Sequence, residues 1–234
     1  MQLKHQHPIK TAEGDALNYR QWPSHRRFLL LSLSPHMAPP PLTNNVSTIP
    51  PILVPASQSW DGNDGKWSSF VLRVGTPAQY FRVFPSPATR EIIIPSANGC
   101  TADESADCGA LRGVFPFRAK ASSGFFANAS TSWKELGDYG MDVRPELNFT
   151  ADGSYGTENI GLGMQSNGGV TLTNQVVAGV AEKKIYVGLL GLSSKPVYID
   201  SQETPYKTFL QSLRDQRQIP GLGYGYTAGT SYSK

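Results

Sequence analysis

Residues Ser69–Pro95 read SFVLRVGTPAQYFRVFPSPATREIIIP, and the punctuation of this stretch decides the fold. Trp67–Val74 (WSSFVLRV) is apolar and β-branched and stops at Gly75-Thr76-Pro77. Tyr80–Phe84 (YFRVF) follows and stops at Pro85-Ser86-Pro87; Arg90–Ile94 (REIII) stops at Pro95. β-Branched and aromatic residues suit a pleated, half-buried surface, while glycine and proline end it. Two such runs around a tight Gly-Thr-Pro turn predict a hairpin.

The same rhythm returns downstream. Residues 96–158 read as irregular, with short strands or half-turns at Asn128–Trp133 and Asp138–Val143. Ser154–Leu162, Gly169–Leu172, Gln175–Val180 and Lys184–Leu190 then predict further strands. One helix is expected over Pro205–Gln218, with Thr204 as N-cap and Pro205 at its first position. Tyr206, Phe209, Leu210 and Leu213 fall at helical spacing on one face. The fold class is therefore mostly β with one or two helices, without the regular strand–helix alternation of a parallel α/β protein.

Composition agrees. Gly 23 and Pro 18 in 234 residues lie well above the average of about 12% for the two together. Charged residues are only 17%, which excludes a highly charged disordered chain. Upstream, Pro35, Pro39, Pro40, Pro41, Pro50, Pro51 and Pro55 predict an extended segment, because proline removes donors and restricts its predecessor. Residues 1–60 are expected to be a disordered, basic, Pro-rich tail, and 61–234 the folded domain, opening after Trp60 at the turn cluster Asp61-Gly62-Asn63-Asp64-Gly65. Within the tail, Arg26-Arg27 before Phe28–Leu33 gives residues 26–38 the form of a displaced export signal. No stretch of about 18 apolar residues predicts a membrane span.

Charge and side-chain inventory narrow the chemistry. The tail carries five basic and two acidic residues, and residues 61–234 carry sixteen of each sign. A neutral domain offers no electrostatic footprint for nucleic acid. His5, His7, His25 and His36 all lie in the tail, so the domain has no Ser-His-Asp, Cys-His or His-based zinc chemistry. Cys100 and Cys108 alone do not make a four-ligand metal site, and neither cofactor nor metal is expected. They read as a local disulfide worth about 2–3 kcal/mol, with two free thiols as the alternative. Sequons at Asn45, Asn128 and Asn148, together with that pair, point to a secreted or cell-surface glycoprotein.

As an ordered series, these segments resemble the N-terminal lobe of the pepsin-like aspartic protease family (peptidase A1), closest to a divergent fungal branch. Gly75, Thr76, Pro77 and Gln79 match the family's Gly-Thr-Pro-x-Gln turn; Phe81, Val83 and Phe84 match its second strand; Ile92, Ile93, Ile94 and Pro95 match the third. Cys100 and Cys108 stand where many relatives place their first disulfide. Tyr155–Ile160 is similar to the segment after the flap, and Val187–Leu192 to the Asp-Gly-Ile-Leu-Gly-Leu signature. The resemblance covers about residues 66–234, all within the first lobe of a bilobal fold.

The resemblance also implies what is missing. Ser86 occupies the catalytic aspartate position, with Pro87, Ala88 and Thr89 in place of threonine, glycine and serine. The family mechanism needs two carboxylates sharing a proton around a water, and a serine hydroxyl has no such equilibrium. The second aspartate belongs to a second lobe, beyond Lys234, and no Asp-Thr-Gly or Asp-Ser-Gly occurs in the chain. Asp152-Gly153-Ser154 has the wrong order and reads as a turn; backward alignment puts Phe149 at the flap tyrosine position. The resulting expectation is a catalytically inactive relative that binds peptides or surface partners. The alternatives are an aspartic endopeptidase of which this is one lobe, and a truncated, non-functional product.

Other constellations carry less. Gly161-Leu162-Gly163 and Gly221-x-Gly223-x-Gly225 lack the strand–loop–helix context of a phosphate loop. Trp60, Trp67 and Trp133 read as packing residues rather than a ligand platform. Ser86 with Lys120 or Lys134 has no supporting spacing for a Ser/Lys pair; Asp200 and Glu203 read as solvated or capping charges, and Asp103, Glu104 and Asp107 as a solvated acidic loop, with cation binding as the alternative.

Overall fold

Eight strands form one sheet in the order β1-β2-β3-β8-β4-β7-β6-β5. They are β1 (Ala56–Asp61), β2 (Trp67–Val74), β3 (Gln79–Ser86), β4 (Ile92–Pro95), β5 (Lys134–Arg144), β6 (Phe149–Leu162), β7 (Thr171–Val180) and β8 (Gly188–Gly191). Two short helices, α1 (Cys108–Leu111) and α2 (Phe209–Asp215), complete the fold. This computed structural model describes residues 49–144, 149–164, 169–199 and 205–227. The chain divides into units Met1–Asn45 and Val46–Lys234; every described residue belongs to the second, and the signal-like segment 26–38 lies outside them.

An additional pairing of β2 with β6 closes β2, β3, β8, β4, β7 and β6 into a ring, leaving β1 and β5 as edges. The main core draws on all of these ring strands, including Leu72, Phe81, Ile94, Ile160, Val177 and Leu190, and Phe209, Leu210 and Leu213 of α2 join it. Neighbouring residues serve a second cluster on the other face: Ile93, Ala178 and Leu189 pack there with Met141, Tyr155 and Val180. Alternation along a strand sends successive side chains to opposite faces, so β4, buried throughout, feeds both clusters.

The central feature is β8, which lies between β3 and β4 although β3 and β4 are consecutive in the chain. It runs parallel to β3 and antiparallel to β4. The strand is made possible by glycines: a Cβ on Gly188 would lie 2.6 Å from the Ile93 carbonyl oxygen, and one on Gly191 would lie 2.4 Å from that of Glu91. Arg112, fully buried, delivers the chain to β8. Its guanidinium donates to the carbonyls of Val180 at 3.2 Å and Tyr186 at 3.3 Å, bracketing the β7–β8 connection. Burial holds this guanidinium below its ordinary pKa, with Tyr186 opposing.

Several sequence expectations are corrected. The Pro205–Gln218 helix is shorter, because Tyr206 is held extended by reciprocal backbone hydrogen bonds with Val197 at 2.8 and 3.0 Å. Its cap is Thr208, which forms a capping box with Gln211. The strand expected over Lys184–Leu190 begins only at Gly188, and Gly169–Leu172 and Gln175–Val180 supply parts of one strand, β7. Asp152-Gly153-Ser154 is not a turn; it lies within β6, paired with Gly140, Tyr139 and Asp138 of β5. β1 starts at Ala56, ahead of the boundary expected at Asp61, since Ser57 and Asp61 hydrogen-bond Ser69 and Asp61 forms an ion pair with Arg82 of β3 at 2.9 Å. No helix among the described residues is long and apolar enough to cross a membrane.

Gly191→Ala is expected to destabilise the fold by about 1–3 kcal/mol, the usual cost of overpacking against unyielding backbone, as read by urea denaturation. Thr208→Ala is expected to cost about 1 kcal/mol through the lost cap, with an unchanged m-value.

Candidate functional site

The β3–β4 connection is wrapped around the end of β8. Ser86 is the last residue of β3 and lies beside Gly191 in the parallel register. Three backbone hydrogen bonds tie the connection to the end of β8 and the residues after it: Leu192 N–H to Ser86 O at 2.9 Å, Gly191 N–H to Glu91 O at 3.1 Å, and Ser193 N–H to Thr89 O at 3.2 Å. The Ser86 side chain is thus set by main chain on two strands rather than by a free loop.

Its local chemistry is that of hydroxyls. Ser86 Oγ accepts the Thr89 N–H at 3.3 Å. Thr89 is buried, and its Oγ1 has no hydrogen-bond partner. No hydrogen bond or ion pair joins Ser86 to Lys120 or Lys134: Lys120 closes a tight turn with Phe117, and Lys134 pairs with Thr157 across β5–β6. Beside Ser86 runs an apolar wall. Phe84 and Leu189, half-buried, are register partners on β3 and β8.

The β5–β6 hairpin supplies aromatic side chains to the face that holds the second cluster. Tyr139 on β5 stands edge-on to Tyr155 on β6, ring centroids 5.8 Å apart, and the Tyr139 hydroxyl donates to Leu136 O at 3.0 Å. Phe149 opens β6 opposite Arg144. The half-buried Tyr139 stands on the first strand of this hairpin and Phe149 at the start of the second. Burial, reinforced by the charge of Glu91, raises the Tyr155 phenol above its ordinary pKa.

The remaining candidates distribute as follows. Cys100 and Cys108 are joined as a disulfide, with Cα atoms 6.0 Å apart. Asn128 is exposed in the 3-10 turn Ala127–Ala129, while Asn45, Asn148, Asp200 and Glu203 lie outside the described residues. Trp133 packs on Phe125 at 5.3 Å against the main core. Trp60 and Trp67 are 37% and 57% exposed but, as register neighbours of Ser68 and Asp61, alternate to opposite faces, so the three indoles form no common platform. Gly161 lies inside β6, and Gly221, Gly223 and Gly225 border an apolar groove.

That groove, with a volume of about 730 Å³, was not evident from the sequence. Ile52, Val54, Phe70, Leu192 and Leu213 contribute to a lining without a charged residue, and Tyr226 stands edge-on to Phe70 at 6.0 Å. Its walls come from segments far apart in the chain, which is why no local pattern announces it. The chain matches no protein-family model and has no significant match among curated proteins.

The raised Tyr155 pKa has a definite consequence. The unfolded phenol ionises near pH 10 while the folded one stays neutral, so its contribution is complete below that pH and lost as pH rises beyond it. Tyr155→Phe is expected to retain more of its neutral-pH stability than the native chain at about pH 11, measured by urea midpoints.

Proposed function

We propose that residues 61–234 are the N-terminal lobe of a pepsin-like aspartic protease fold that lacks peptidase activity and binds peptides or surface partners along its remaining wall. The observation that carries this reading is Ser86 itself. A hydroxyl ends β3 beside Gly191, in a connection held to β8 and the residues after it by three backbone bonds, and the resemblance assigns this position to a carboxylate. A hydroxyl in that position neither holds a water as base nor shares a proton with a second carboxylate. The half-buried Phe84–Leu189 wall and the Tyr139 hairpin support binding, because apolar and aromatic surface with few polar groups is what an extended peptide uses.

The chain is expected to cleave no peptide at about pH 3–5, where the carboxylate dyad works, and Ser86→Asp alone is expected to restore no turnover. Binding to a broad peptide library is expected, with Phe84→Ala weakening it about tenfold while leaving the circular dichroism unchanged. Turnover blocked by a transition-state-mimicking aspartic protease inhibitor refutes inactivity, and absence of any peptide binding refutes the binding role.

The uncharged groove favours a second reading, in which this lobe is the front half of a bilobal aspartic endopeptidase and a second lobe covers the groove. The intact mass of the natural protein, before and after deglycosylation, separates the readings: a species near 25.4 kDa supports a one-lobe protein, and one near twice that supports the bilobal form. Glycans at Asn45, Asn128 or Asn148 support passage through the secretory pathway. Aggregation without cooperative unfolding is the behaviour expected of a truncated, non-functional product.

A further inference from the structure

We propose that Cys100, Glu104 and Cys108 form a redox-gated site for a thiophilic divalent cation of the zinc class, closed while the disulfide stands and opened when a thiol or phosphine reductant reduces it. This inference does not rest on the protease-like reading; it operates only where a reductant reaches the disulfide.

The three residues stand at a spacing of Cys-x3-Glu-x3-Cys, and their Sγ atoms and nearest carboxylate oxygen all lie within 4.8 Å of one another. Two thiolates and a carboxylate are a common zinc donor set, with metal–sulfur distances of about 2.3 Å and metal–oxygen distances of about 2.0–2.2 Å. On a tetrahedral ion these distances put the thiolates about 3.8 Å apart and a thiolate and carboxylate oxygen about 3.5 Å apart. Glu104 Oε2 already stands 3.6 Å from Cys108 Sγ. A Cα separation of 6.0 Å allows the sulfurs to move to their metal-bound spacing with side-chain rotation.

The carboxylate is held for this task. Glu104 Oε2 accepts the Thr101 N–H at 2.9 Å, and Oε1 pairs with Lys183. Lys183 does not compete for the position: two thiolates and a carboxylate around a divalent ion carry net negative charge, and a neighbouring ammonium offsets it. Three protein ligands leave a fourth position for water. The balance is simple. A dithiol gives two electrons and two protons and becomes a disulfide, or a phosphine with one water becomes its oxide; the protein disulfide becomes two thiols, and cation binding then releases their protons to solvent. The disulfide and the metal are mutually exclusive because the thiolates that bind the cation exist only after the sulfur–sulfur bond has been reduced.

The test uses the full chain. It is reduced with a phosphine, which contributes no thiol ligand, and titrated with cobalt(II) and then zinc(II), following the thiolate-to-cobalt absorption and far-UV circular dichroism. The reduced chain is expected to bind one equivalent with its β signal retained, the oxidised chain none, and reduced Glu104→Gln at least about tenfold more weakly. The proposal is overturned if the reduced chain takes up no metal, if the oxidised chain binds equally, if Glu104→Gln binds as tightly as the native chain, or if reduction alone abolishes the β signal.

Discussion

The insertion of β8 between β3 and β4 is the constraint on which the rest of this structure depends. A four-residue strand must hydrogen-bond on both sides while threading between two segments that are neighbours in sequence. Only a backbone without Cβ atoms at both ends fits, hence Gly188 and Gly191. Once β8 is seated, the ring can close, the main core fills it, and the 86–91 connection has a strand end to wrap around. Arg112 acts upstream of this event by holding the carbonyls that lead into β8. A buried guanidinium hydrogen-bonded to carbonyls rather than a carboxylate costs desolvation, and its Nη1 has no partner; it holds the path of a loop that Ile185 and Val187 also anchor by burial.

That arrangement holds the backbone at position 86 between β3 and β8. Backbone on two strands sets Ser86, and neighbouring Thr89 offers a buried hydroxyl without a partner. The functional groups that this connection presents are hydroxyls. Half-buried Phe84 and Leu189 pair beside it, and Leu189 and Tyr139 pack against the second cluster.

The strands around the Gly75-Thr76-Pro77 turn were legible because alternation, β-branching and turn residues agree there. Trp67–Val74 is the strand the sequence predicts, and β3 extends the second prediction only at its ends. The β5–β6 hairpin was legible only in part: Asp138–Val143 and Ser154–Leu162 fall within β5 and β6, but the length of these strands and their pairing were not read. Its strands contain Gly137, Gly140, Gly153 and Gly156 among polar residues, so they carry weak local preference and form because each pairs with the other along most of its length. The helix was misjudged for the opposite reason: Tyr206 has good helical spacing, but pairing with Val197 outweighs it, and the cap passes to Thr208.

The sequence by itself determined a β-rich domain, the hydroxyl at position 86, the absence of histidine from residues 61–234, and a cysteine pair able to close a short loop. These are matters of residue identity and local pattern. Tertiary structure alone decided which strands are neighbours, that Ser86 stands beside Gly191, that the Glu104 carboxylate lies against the disulfide, and that an uncharged groove opens beside α2. Each of those juxtapositions joins residues through strand pairing or loop closure, and such contacts follow from a global packing solution that no window of sequence contains.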